Sequence, residues 1–299
     1  MDGFSFRQTK TFHPTSIPMK PIRFVQSISK ILRGRPQVPT SLEDNAQLQT
    51  ILNRRSVRRF EQRDIPEDMF QAILEAGRLA PSTVNLQTWS FAVFNDQRWE
   101  EIFGAHIPFR APRAIIIIGD THRARQVLDA FQDSPLIEYT LGVINASLAA
   151  MNMTTAAESL GLASVMLSET GHTGLLDIGY LKEKLSLPER TTPLMTLVVG
   201  YPKGSLPPMP PKLPLKVVSF NGKYRETPQT VMEDWLAQLV DGYKAMRPFS
   251  SFEAQLSVYN SKIGQAESDL QKIIFANNQP LQKNQWSHSH EQIGARKSG

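Results

Sequence analysis

Two stretches of this chain carry the residue types that hold a phosphate and read a polar ring edge. The first is Arg54-Arg55-Ser56-Val57-Arg58-Arg59. Guanidinium forks give paired, charge-assisted hydrogen bonds to phosphate oxygens, and the Ser56 hydroxyl adds a neutral one. The second is Ala80-Pro81-Ser82-Thr83-Val84-Asn85-Leu86-Gln87-Thr88-Trp89, a turn crowded with amides and hydroxyls. Asn and Gln amides both donate and accept, so they complement a ring edge that carries carbonyls and an imide N–H. Together the two stretches read as a clamp for a phosphorylated aromatic cofactor. Each also has a plainer reading. The arginine run fits a solvated face or a polyanion patch, and Asn85 and Gln87 could merely satisfy backbone groups of their own loop.

Composition removes several other chemistries. A chain of 299 residues that is 40% hydrophobic and 20% charged is globular in type and long enough to bury a full core. Cysteine is absent, which excludes disulfides, thiolate metal sites, iron–sulfur clusters and cysteine nucleophiles. The six histidines show no HExxH spacing, and the close pair His288 and His290 lies in a polar tail, so no metal site is expected. Neither a Gly-x-Gly-x-x-Gly fingerprint nor a Gly-x-Ser-x-Gly elbow is present.

The net charge of +5 is concentrated at one end. Residues 1–35 hold Arg7, Lys10, Lys20, Arg23, Lys30, Arg33 and Arg35 against Asp2 alone, a net +6, and the remainder is close to neutral. That distribution argues against a nucleic-acid partner. Ile22, Val25, Ile28 or Ser29, and Leu32 recur at helical spacing beside these cations. Such an amphipathic segment fits docking on the protein's own body, contact with anionic lipid or a partner, or a targeting peptide. Met1–Lys20 lacks the apolar run of a secretory signal, so a cytoplasmic location is expected, with peripheral membrane contact open.

The elements that must position the clamp alternate between helix and strand. Ser41-Leu42-Glu43-Asp44 has the form of a helix start, and Leu48, Ile51 and Leu52 continue its stripe. Pro66-Glu67-Asp68 opens a second helix with Met69, Phe70, Ile73, Leu74 and Leu79 on its buried face, stopped by Pro81. Strands are expected at Trp89–Phe94, Ala114–Ile118, Ala163–Leu167 and Thr196–Val199, with Ile115–Ile118 central and buried on both faces. Leu136–Leu160 is a long helix, apolar or small on every side, that needs cover all round from its own domain or a second subunit. Glu138, Asn145, Asn152 and Glu158 make it a poor membrane span, and the sequons at Asn145 and Asn152 read as chance. Val231, Trp235, Leu239, Tyr243 and Met246 mark a further helix, which Pro248 ends. In the last one, Phe252, Leu256, Tyr259, Ile263, Ala266, Leu270 and Ile273 step as a heptad seam does and could pack in cis or against a second chain.

On these residues the chain resembles the nitroreductase family of FMN-dependent oxidoreductases. The likeness runs in order through Arg54–Phe60, Ala80–Phe91, the helix end from Ala149-Ala150 to Gly161-Leu162, Val198-Val199-Gly200-Tyr201-Pro202 and Pro211-Lys212-Leu213-Pro214-Leu215. It implies an α+β, three-layer fold, with a central mixed sheet flanked by helices around the long buried helix. Residues 48–225 would form the FMN-binding domain. The N-terminal arm and first helix (1–47), a helical extension (226–276) and a polar flexible tail (277–299) would lie outside it.

By resemblance, Arg54, Ser56, Arg58 and Lys212 would hold the FMN phosphate. Arg55 would reach phosphate or flavin, and Arg59 would face solvent. Pro81, Ser82, Asn85 and Gln87 would address the ring, partly across a homodimer interface, while Ser168 and Glu169 would bring a backbone N–H near flavin N5. No side chain is expected as catalytic acid or base. The implied activity passes electrons from NAD(P)H to a small oxidant such as a nitroaromatic or quinone, with ping-pong kinetics. A dedicated biosynthetic flavoenzyme, or a non-catalytic flavin binder, are the alternatives. Two departures from the family pattern stand out: Thr88 where proline commonly precedes the tryptophan, and Pro210 where some members have a second basic residue.

Overall fold

The computed structural model describes residues 21–275, apart from 37, 129–130, 132–133, 169–171 and 247–250. Most of the basic arm before residue 21, Glu169, Pro248 and the polar tail lie outside the described residues. The helices are α1 (Pro21–Arg33), α2 (Ala46–Asn53), α3 (Glu67–Arg78), α4 (Asp96–Phe103), α5 (His122–Arg125), α6 (Pro135–Ser159), α7 (Ile178–Lys184), α8 (Leu215–Val218), α9 (Gln229–Met246) and α10 (Phe252–Phe275). The strands are β1 (Trp89–Asn95), β2 (Arg113–Asp120), β3 (Ala163–Leu167) and β4 (Thr191–Gly200). The chain divides into two compact units, one made of residues 1–37 with 208–257 and the other of 38–207 with 258–299.

The second unit is built on one sheet in the order β1-β2-β4-β3, with every neighbouring pair antiparallel. The mixed character expected of this sheet is confined, among the described residues, to a single parallel bridge between Ser56 and Ser164. Strand alternation sends side chains to two separate cores. Ile115, Ile117, Leu197 and Val199 face a cluster containing Phe70 and Ile73 of α3 and Ala146, Ala149 and Met153 of α6. Ala114, Ile116, Ile118 and Val198 face the other way, toward Trp99, Ile107 and Leu181. Ile115–Ile118 are thus buried from both sides, each contributing roughly 1.5–3 kcal/mol.

Local chemistry fixes the element boundaries. Helix α2 starts at Asn45, not Ser41, because Asn45 Oδ1 accepts from Leu48 N at 3.0 Å while Thr40–Leu42 forms only a 3-10 turn. Helix α3 buries Phe70 and Ile73, but Leu79 lies past its last turn and is exposed, contrary to its expected place on the buried face. Strand β4 begins five residues before its expected start. Pro193 is accommodated at a bulge, where the register slips between Ile117 and Ile118, and so its missing N–H leaves the ladder intact. Helix α6 ends in a Schellman turn at Gly161 (φ 73°), with Leu162 N donating to Ala157 O and Gly161 N to Glu158 O. That turn aims the chain into β3.

Only one face of α6 is covered. Gly142, Asn145, Ala149, Ala150 and Met153 are buried, whereas Ile137, Ile144, Leu148 and Met151 are exposed along the opposite side. Of the α10 stripe, Ala266 is buried and Ile263, Leu270 and Ile273 are half-buried, while Leu256 and Tyr259 are exposed. Lys262 of α10 pairs with Asp177 at 3.1 Å, so this part of the helix docks on its own unit. In the first unit α1 packs on α9, burying Ser27 and Ile31.

Candidate functional site

The arginine run leaves α2 as an extended segment that borders the sheet. Val57 N donates to Ser164 O at 3.1 Å, Glu61 N to Tyr201 O at 2.9 Å, and Lys203 N to Arg59 O at 2.9 Å. Val57 and Phe60 are buried as anchors, which turns Ser56, Arg58 and Arg59 outward. Arg54 is half-buried, and among the described residues its guanidinium makes no hydrogen bond or ion pair. Arg55 is half-buried too, but its Nη1 donates to Leu52 O at 2.8 Å and Arg54 O at 2.9 Å, so it caps the end of α2. Arg58 Nη1 reaches Ser56 O at 3.4 Å.

Both Arg54 and Arg55 act on Glu158 near the end of α6. Burial pushes that carboxyl up from its ordinary value, against the opposing pull of the two guanidinium groups. The negative end of the α6 dipole adds to the field favouring cations here.

The amide-rich turn is held in a costly conformation. Val84 (φ 48°), Asn85 (φ 57°) and Gln87 (φ 48°) all adopt the left-handed region. Asparagine tolerates it, but for a β-branched valine it is a true outlier, and each such residue costs of order 1–3 kcal/mol. What holds the turn is Asn145, 1% exposed on α6. Its Oδ1 accepts from Thr83 N at 3.2 Å and Thr83 Oγ1 at 3.3 Å, and its Nδ2 donates to Thr88 Oγ1 at 2.8 Å. Ser82 Oγ accepts from Gln87 N at 3.0 Å, which closes the loop from within and leaves the Ser82 hydroxyl hydrogen to donate elsewhere. Pro81, Asn85 and Gln87 are exposed, and among the described residues neither side-chain amide bonds to the loop backbone.

Nothing in the sequence marks Asn145 as an anchor of this turn. There it stands as a polar interruption and a chance sequon, and its burial leaves no room for a glycan. Thr88, the departure from the family's proline, supplies the oxygen that the Asn145 amide needs.

Strand β3 runs from beside the arginine run toward Ser168. Ser164 meets Ser56 at its start, and Ser168 follows its end, roughly 13 Å further along. Ser168 O accepts from Leu176 N at 3.2 Å. Gly174 lies against the same backbone: a Cβ there would stand 2.9 Å from Ser168 Cα and 2.6 Å from Leu194 O. His172, between these points, bonds through Nδ1 to Asp177 Oδ1 at 3.0 Å. Lys212 is exposed and belongs to the first unit, where Trp235 Nε1 donates to Pro211 O at 3.4 Å.

The donor set fits a flavin mononucleotide. A half-buried guanidinium with no acceptor among the described residues, and a hydroxyl nearby, suits a phosphate, while two amides with no hydrogen bond among the described residues suit the polar edge of a planar ring.

Comparison with known proteins points the same way. An oxygen-insensitive NADPH nitroreductase of Salmonella typhimurium is 26% identical over 201 residues, covering 66% of this chain and 82% of that one. An FMN reductase (NADPH) of Bacillus subtilis is 26% identical over 191 residues, covering 60% and 75%. Nitroreductase A of Vibrio parahaemolyticus superposes with a TM-score of 0.59 at 25% identity, covering 74% of this chain and 91% of that one. The family model described as Nitroreductase family matches residues 51–107 and 100–201, the stretch that holds the arginine run, the strained turn, α6 and the whole sheet. By sequence and by fold, then, the chain belongs to the nitroreductase family.

Proposed function

We propose that this protein is an FMN-dependent NAD(P)H oxidoreductase. In this reading Arg54, Ser56 and Arg58 hold the phosphate, Ser82, Asn85 and Gln87 orient the ring edge, and the backbone at Ser168 borders its reacting side. The observation that carries it is the turn at 82–88: strain at three residues, enforced by a buried asparagine, presents two uncommitted amides outward. A loop with no ligand to orient gains nothing from that cost. FMN, when bound, supplies two-electron exchange between a nicotinamide and a small oxidant such as a nitroaromatic or quinone, the two taking turns in one pocket with ping-pong kinetics. The names of the relatives from Salmonella typhimurium and Bacillus subtilis support the nicotinamide and the flavin.

The working form in this proposal is a homodimer that covers the open face of α6. Exposed Ile137, Ile144, Leu148 and Met151 make a continuous apolar strip of the kind that marks an interface.

The absorption spectrum of the purified protein tests the reading. A flavin spectrum bleached anaerobically by NADPH is expected. A colourless protein that cannot be reconstituted with FMN would refute it, and a yellow one that no nicotinamide reduces would refute the choice of donor.

A further inference from the structure

We propose that α1 docks the protein on an anionic lipid surface. The apolar face of this helix is wider than the contact that covers it. Ser27 and Ile31 are buried against α9, where a Cβ on Gly242 would come within 2.8 Å of Ile31 Cδ1. The packing shows that α1 is a built part of its unit and not a loose leader. Turning about the helix axis at 100° per residue, the next positions are Ile28, Leu32 and Val25. Leu32 is 69% and Val25 66% exposed, and with Phe24 and Ile28 they line a shallow open groove.

Beside this strip, on the same helix, comes the cation Arg33, with Arg35 just after the helix end, while Lys30 and Arg23 follow further round toward the α9 contact. Residues 21–36 hold no acidic residue at all. A protein groove would have to match both the strip and the charge, whereas a bilayer of anionic headgroups over acyl chains offers both at the right depth. Thirteen residues span roughly 20 Å, short of the ~30 Å hydrocarbon core, so the helix lies on the membrane and does not cross it. In agreement, no described helix is long and apolar enough to cross a membrane. Lys30 also approaches Asp234 of α9 at 3.8 Å, an exposed pair of little strength that does not neutralise the stripe.

The test is co-sedimentation of the full chain with phosphatidylcholine vesicles, with and without phosphatidylglycerol. Binding to the anionic vesicles alone is expected, weakened by salt as the Debye length shrinks. Val25→Glu with Leu32→Glu should lower partitioning by about tenfold or more. Arg33→Gln with Arg35→Gln should lower it by about fivefold for each cation removed. Because all four side chains are turned to solvent, these variants should keep the wild-type circular dichroism and melting temperature. No binding, equal binding to neutral vesicles, or binding indifferent to the glutamates would overturn the proposal. So would a change of light-scattering mass or melting temperature in the glutamate variant, since the strip would then already be covered by protein.

Discussion

Replacing Asn145 with alanine isolates the preorganisation of the amide-rich turn, the ring site of the proposed function. The side chain makes three hydrogen bonds, to Thr83 N, Thr83 Oγ1 and Thr88 Oγ1. The hydroxyls can rotate toward other partners, but the Thr83 N–H cannot, and stranding it costs roughly 1–3 kcal/mol. The lost amide volume adds a small cavity, so a total destabilisation of about 2–4 kcal/mol is expected. The effect on FMN should be separable from this. Val84, Asn85 and Gln87 hold of order 1–3 kcal/mol of strain each, and the turn relaxes once its anchor is gone. Binding must then rebuild the strained form, and even 1.4 kcal/mol of that weakens FMN tenfold. Asn152→Ala is the control. It lies on the same helix and bonds to Ala76 O at 3.1 Å, so it should cost stability without touching the turn. Urea denaturation measures the first quantity and a flavin fluorescence titration the second. If Asn145→Ala binds FMN as tightly as Asn152→Ala does, the turn is not a preorganised ring site.

Arg54→Ala should weaken FMN by roughly 1.5–3 kcal/mol through loss of a charged phosphate donor, with little effect on melting temperature because that guanidinium has no protein acceptor among the described residues; an unchanged dissociation constant would remove it from the site. Ile144→Asp with Leu148→Asp should halve the light-scattering mass if α6 carries the dimer, and an unaltered dimer mass would locate the interface elsewhere. Asp96 supplies a pH test. Burial favours its neutral form, but the Ile107 N–H at 2.9 Å, His106 at 2.7 Å and the charge of Arg110 together hold its carboxyl below the ordinary value. The resulting stability is present above the unfolded value of about 3.9 and is lost as pH falls through the folded one. Asp96→Asn should therefore be less stable than wild type at neutral pH, with a gap that closes in acid; a gap independent of pH would contradict this account.

Much of the fold was legible because its signals are local. The Ile115–Ile118 run, short and wholly β-branched, favours a strand buried on both faces, and Pro66-Glu67-Asp68 carries the proline and acids that suit a helix start. The arginine run and the amide turn were legible as chemistry and, in their order along the chain, as a family pattern. What escaped depends on partners far away in sequence. Asn145 serves residues 57 and 62 positions earlier, and nothing near it distinguishes an anchor from a chance sequon. The early start of β4 was hidden by Pro193, which argues against a strand until the bulge opposite it is known. The start of α2 at Asn45 and not at Ser41 depends on the backbone path, since either side-chain type can cap a helix.

Gly174 has a consequence for how this site can diversify. Its backbone is fully extended, so any residue could adopt the conformation; what forbids a side chain is the Ser168 and Leu194 backbone pressed against the missing Cβ. A mutation to alanine would force the Ser168 backbone, just past the end of β3, away from the Leu194 backbone of β4. Descendants of this sequence must therefore leave position 174 without a side chain, or move two neighbouring stretches of backbone at once to make room for one.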